Sequence, residues 1–163
     1  MTTLTLSRDN ARGAYLLTGA DGTVLGSLAA DRRLRHGEAV IAAGGIAVHS
    51  GGLRRRSACA GDEQAPVLRL DTSAAVVPGL PGAQWDVSRD RSRFTGTLSG
   101  AGARIVVTVP AGGNGPLQAE VEGDFPGWDL AVLTAAFALL ARRHADTMFT
   151  AALVSVATGG AGR

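Results

Sequence analysis

From Leu130 to Ala141 the chain reads LAVLTAAFALLA, and only Thr134 is polar. A helix with no face suited to water must be enclosed by protein or lipid. At 1.5 Å per residue, about 12 residues span roughly 18 Å, well short of the ~30 Å hydrocarbon core of a bilayer. The pattern therefore predicts a helix buried in a protein core, extending over Asp129–Arg143. Asp129 suits the free N–H groups at its start, while Arg142, Arg143 and His144 suit the negative end of its dipole. Each large side chain, from Leu130 through Phe137 to Leu140, stabilises by roughly 1.5–3 kcal/mol if it is fully buried.

Upstream the period shortens to two. Leu117, Ala119 and Val121 alternate with Gln118, Glu120 and Glu122, a strand with one dry and one wet face. Arg93–Leu98 and Arg104–Val109 enclose the turn Gly100-Ala101-Gly102. Ala14–Thr18 and Thr23–Leu28 flank Gly19-Ala20-Asp21-Gly22, and Asp-Gly accepts the positive φ angles of a tight hairpin. Glu38–Ala42 and Ile46–His49 flank Gly44-Gly45. Thr2–Ser7, Val67–Leu70, Ala74–Val77 and Gln84–Ser88 complete the set, with Gly51–Gln64 read as a polar, arginine-bearing loop. About 11–12 short strands in succession, each ended by a turn, predict an antiparallel meander. A twisted sheet of that size curls and closes, which leaves a lumen to fill. The apolar helix fills it. The expected fold is mainly β (β+α): a closed antiparallel meander β-barrel around a buried C-terminal helix.

The whole forms one domain over residues 1–158, with strands over about 2–122 and the central helix over 129–143. In Asp146–Thr158, Met148, Phe149, Ala152, Leu153 and Val156 keep helical spacing. A short second helix, or a last strand, is expected there against the barrel mouth, with 159–163 as a tail.

Composition narrows the chemistry. The 16 basic residues are all arginine, so a P-loop lysine, a Schiff-base lysine and a Ser–Lys dyad are excluded. Such usage is expected of a GC-rich bacterial coding sequence. The net charge of +2 gives no expectation of nucleic-acid binding. Cys59 is the single cysteine, so neither an intramolecular disulfide nor a cysteine-based zinc site can form. No apolar run follows a basic start at MTTLTLSRDNARG, which sets the expectation of a cytoplasmic protein.

A meandering barrel threaded by a C-terminal apolar helix resembles the tubby C-terminal-like superfamily, which includes tubby proteins, phospholipid scramblases and LURP-one-related proteins. The hairpin Tyr15-Leu-Leu-Thr-Gly-Ala-Asp-Gly-Thr-Val-Leu-Gly26 and the run Glu122-Gly-Asp-Phe-Pro-Gly-Trp-Asp-Leu-Ala131 carry the same resemblance, over about residues 13–145. It implies binding of phosphoinositides or a membrane surface, protein interaction, or no assigned activity.

Guanidinium groups bind phosphate through paired hydrogen bonds, so the arginine clusters are the candidate anion sites. Arg54, Arg55 and Arg56 have no acid before Asp62; Arg32, Arg33 and Arg35 adjoin Asp31 and His36. Arg89, Arg91 and Arg93 alternate, as on one wet strand face. Each cluster also fits a plain solvated surface. Glu120, Glu122, Asp124 and Asp129 are accounted for by a wet strand face and a helix start. His36, His49 and His144 fall in different elements, with no HExxH or triad context. The glycine clusters at 96–102 and 112–115 open no helix and read as hairpin turns. Trp85 and Trp128 read as packing residues. No catalytic residue, metal or cofactor is assigned. The expected function is a non-enzymatic binding module for anionic phospholipid headgroups, peripheral at the membrane; the alternative is a structural or protein-interaction protein without a small ligand.

Overall fold

A computed structural model describes residues 1–159. The strands are β1 (Thr2–Asp9), β2 (Ala14–Thr18), β3 (Val24–Ala30), β4 (His36–Ile41), β5 (Gly44–Gly51), β6 (Ser57–Gly61), β7 (Pro66–Asp71), β8 (Gln84–Arg89), β9 (Arg93–Gly100), β10 (Ala103–Pro110) and β11 (Leu117–Glu122). One helix, α1 (Trp128–Gly159), follows them. The strands form a single 11-stranded sheet in the order β7-β6-β5-β4-β3-β2-β1-β11-β10-β9-β8. Every pairing is antiparallel, and β1 joins the two halves by pairing with β11, Thr2 opposite Val121 and Leu6 opposite Leu117.

The sheet curls around α1 into a nearly closed barrel. Its edges, β7 and β8, share no ladder. The seam is bridged by the segment 72–83, in which Val76 exchanges backbone bonds of 2.8 and 2.9 Å with Arg69 while Val77 and Leu80 are buried. The strand expected at Ala74–Val77 is reduced to this one bridge. The Asp71 carboxylate accepts bonds from the Ser73 amide (2.9 Å) and hydroxyl (2.8 Å), and Pro78 follows closely, so little extended chain remains.

The polar loop expected over Gly51–Gln64 contains β6 instead. Ala58 and Ala60 face the core, while Ser57, Cys59 and Gly61 face outward. The alternation is correct but built from small side chains, which carry almost no hydropathy contrast.

The inner faces pack large residues of β1, β2, β9, β10 and β11 against the helix, whose residues Leu130–Ala141 are all buried. Thr134 satisfies its hydroxyl by donating to the Leu130 carbonyl at 2.8 Å. Opposite, Ala39, Ala58 and Ala60 leave room for the helix, and Leu133 lies 3.3 Å from where a Cβ on Gly26 would stand.

Two elements were expected after Asp129; there is one. The helix runs on past Arg143 without interruption to Gly159. Arg142 and Arg143 are compatible with a helix end but do not impose one, and no Gly or Pro stops the backbone ladder before Gly159. The rest of the expected 159–163 tail lies outside the described residues.

Candidate functional site

Antiparallel topology sends alternate turns to opposite poles. The helix enters at the pole of the turns 19–23, 62–65, 101–102 and 123–127, and leaves at the pole of 10–13, 31–35, 52–56, 90–92 and 111–116. Among the described residues, every arginine except Arg69 and Arg104 lies on strand ends, turns or helix at the exit pole. Asp9, Asp31, Asp71, Asp90 and Asp146 share that pole with them. The entry pole carries Asp21, Asp62, Glu63, Glu122, Asp124 and Asp129 against Arg104. A modest net charge thus conceals a strong separation of charge.

The candidate arginines meet at this exit. Leu53–Arg55 form a single 3₁₀-like turn in which Arg54 departs from helical backbone angles. Arg55 donates to the Ser50 hydroxyl at 2.8 Å and to the Leu34 carbonyl at 3.5 Å, which ties the 52–56 turn to the 31–35 turn. Burial pulls the Arg55 guanidinium below its ordinary pKa, Arg35 beside it adds to this, and Asp31 opposes it. Arg142 is lowered for the same first reason, with Arg56 and Arg54 as its like-charged neighbours. Guanidinium groups stay charged through such shifts, so the cationic character persists. Arg32 and Arg143 line one cleft of about 300 Å³ with Arg8 and Asn114. Arg33 stands on the same turn, exposed and without a hydrogen bond or ion pair to any described residue.

Arg89, Arg91 and Arg93 do not share one strand face. They span a hairpin: Arg89 closes β8, Arg91 is in the turn and Arg93 opens β9. Arg89 pairs with Asp146 at 2.9 Å and lies 4.9 Å over the Phe94 ring, while Arg93 pairs with Asp90 at 3.5 Å.

Backbone strain concentrates here too. Leu34, Arg54 and Arg55 have φ of 53°, 53° and 56°, and they are the non-glycine residues with positive φ among those described. Each costs on the order of 1–3 kcal/mol, and such outliers persist where surrounding contacts fix them.

Beyond the arginines the helix projects outward. Met148, Phe149, Leu153 and Val156 are exposed by 60, 47, 56 and 77%. Thr147 and Thr150 turn their hydroxyls back onto the Arg143 and Asp146 carbonyls at 2.9 and 3.0 Å, which leaves this segment still less polar. Arg54 stacks over Phe149 at 4.5 Å. Between the projecting helix and the barrel rim lies a cleft of about 590 Å³, walled by Phe94, Ala111 and Ala151 and by the Arg89–Asp146 pair. No described helix is long and apolar enough to cross a membrane.

Two histidines placed apart by the sequence are in fact neighbours. His36 and His49 are register partners on β4 and β5, and their Nδ1 atoms stand 3.1 Å apart. With Glu63 they make the one cluster of metal-ligating groups among the described residues. The acids Glu120, Glu122, Asp124 and Asp129 form no such cluster. Trp85 is buried over Gly96, and Trp128 packs half-buried at the helix start.

Compared with protein-family models, curated proteins and solved structures, the chain matches none of them. What stands without them is the class: a nearly closed antiparallel barrel packed around a long C-terminal helix.

Proposed function

We propose that the protein is a non-enzymatic module that binds anionic membrane surfaces, in the manner implied by its likeness to tubby-like barrels. The reading is supported above all by the outer half of α1. The apolar composition that requires residues 130–141 to be enclosed continues over 147–157, but there the barrel has ended. Something else must cover it. The arginines at the exit pole specify an anionic cover, since a cationic rim around an apolar tip supplies the two signals that stable peripheral anchoring takes. At 1.5 Å per residue, residues 147–158 reach about 18 Å, enough for one leaflet of a ~30 Å hydrocarbon core and not for both. The protein then sits with its exit pole on the bilayer and its entry pole in water, residues 147–158 reaching no further than one leaflet. The cytoplasmic leaflet, with its anionic lipids, is the matching surface.

The test is co-sedimentation with vesicles of phosphatidylcholine alone or containing phosphatidylserine or a phosphoinositide. Binding is expected only with anionic lipid and should weaken as salt rises. Replacing Arg32, Arg33 and Arg56 by Gln removes cations that make no hydrogen bond or ion pair with the described residues. At about 1 kcal/mol per arginine, the loss is on the order of a hundredfold, with a shallower salt dependence. Equal binding to phosphatidylcholine, or none to anionic vesicles at low salt, refutes the reading. If the protein instead self-associates through Phe149 and Leu153, the projecting helix is a protein interface.

A further inference from the structure

We propose that His36, His49 and Glu63 bind a divalent transition-metal ion of the zinc class. The site faces outward from the barrel wall, running down it from the edge of the 31–35 turn. Three elements build it. β4 and β5 place the two imidazoles opposite one another, and the turn after β6 brings up the carboxylate. The ring centroids are 5.3 Å apart with planes at 82°, so the rings meet edge to face and both Nδ1 atoms point into the same space.

The hydrogen bonds around His49 set its tautomer. Its Nε2 lies 3.1 Å from the Gly61 carbonyl oxygen, which can only accept. Nε2 therefore carries the proton, and the Nδ1 lone pair is left facing His36 and Glu63. Histidines that ligate metals are held in this way, with the other ring N–H donated to a carbonyl or carboxylate. The carbonyl is aimed by a bulge. The β6–β7 register shifts between Ala60 and Gly61, and Gly61 has φ of 99°; a Cβ there would stand 3.0 Å from the Val67 amide nitrogen.

The spacing suits a tetrahedral ion. Two nitrogens bound to one zinc at about 2.0–2.1 Å stand about 3.3 Å apart. Here Nδ1 to Nδ1 is 3.1 Å, and His49 Nδ1 to the Glu63 carboxylate is 3.7 Å. All three ligand atoms lie within 4.8 Å of one another. Without an ion, one proton on His36 Nδ1 bridges the two rings. On binding, that proton leaves Nδ1, the exposed Nε2 of His36 carries the ring proton, and both Nδ1 lone pairs and the carboxylate turn to the metal. Two imidazoles with one carboxylate favour zinc, copper, nickel or cobalt over calcium or magnesium, which take oxygen ligands.

Cys59 is the register partner of His49 on β6 and lines the same cleft. It is not part of the ligand set. Its Sγ is not among the ligand atoms that lie within 4.8 Å of one another. The fourth position is left to water.

The experiment is titration of the full, tag-free chain with Zn²⁺ against a chromophoric chelator, with Co²⁺ as a spectroscopic probe of geometry. One ion per chain is expected, with a tetrahedral Co²⁺ spectrum and a Zn²⁺-dependent rise in melting temperature. His36→Asn and His49→Asn should each lower Zn²⁺ affinity by about a hundredfold and Glu63→Gln by about tenfold. Cys59→Ser and His144→Asn should leave affinity unchanged. Circular dichroism of each metal-free variant shows whether the fold is intact, and none of these positions is fully buried. No uptake by the wild type, uptake that survives His49→Asn in a folded variant, or uptake lost in Cys59→Ser or His144→Asn overturns the assignment.

Discussion

Gly96 has no Cβ, and the indole of Trp85 occupies the place where one would stand. The two residues are neighbours across β8 and β9, so this large ring fits only because its partner strand offers bare backbone. Gly96→Ala should therefore cost about 1–3 kcal/mol in urea denaturation, through overpacking. A smaller residue at 85 should recover part of that loss, so that Gly96→Ala with Trp85→Leu is less destabilised than the two single changes summed. At the acidic turns the effect is electrostatic. The Ser73 amide, then its hydroxyl and Arg69, hold the Asp71 carboxyl below its ordinary 3.8. A depressed carboxyl contributes stability above the unfolded-state value and loses it as pH falls through the folded one. Asp71 should thus titrate below pH 3.8 by NMR, with its share of stability disappearing across that acid window. Residue-scale relations of this kind were poorly legible in the sequence. The His36–His49 contact is the clearest example. A turn centred on Gly44-Gly45 places His49 opposite Val40, whereas the hairpin turns at Ala42-Ala43 and Gly44 opens β5. A small slip in register hid the pair.

Among the elements, α1 is one rod in two environments. Its inner half was legible because an all-apolar run has only one stable setting; its continuation was not, because cationic residues at a barrel mouth resemble a helix end. The two halves should respond oppositely to the same change. Leu133→Asp sets an unpaired charge where no water reaches, and it should abolish cooperative melting. Leu153→Asp, on the projecting half, should shift stability by no more than about 0.5 kcal/mol while removing vesicle binding. Cooperative melting of Leu133→Asp at the wild-type temperature would contradict enclosure of the helix. The strands divide similarly. β11 and the Asp21-Gly22 hairpin announced themselves by alternation and turn chemistry, whereas β6, made of Ser, Ala, Cys and Gly, had the pattern without the contrast.

For the whole molecule, the expected barrel with its plug is what the structure shows, apart from the β7–β8 seam. No local signal could reveal that seam, since it depends on which strand ends fail to meet after the sheet has curled. The polar arrangement of charge was equally invisible in a total of +2. It appears only once antiparallel alternation sorts the turns between two ends. The strand order has one more consequence, for the order in which the chain can fold as it is made. β1 has one edge on β2, but its other partner is β11, more than a hundred residues later, and the residue run that fills the lumen comes later still. Synthesis proceeds at about 5–20 residues per second, so the first strand waits several seconds with an apolar face that nothing yet covers. The nascent chain can form hairpins as they emerge, but it cannot complete this core until α1 has left the ribosome. Folding of the barrel is thus postponed until α1 has been made, and the half-made sheet is the form most in need of a chaperone.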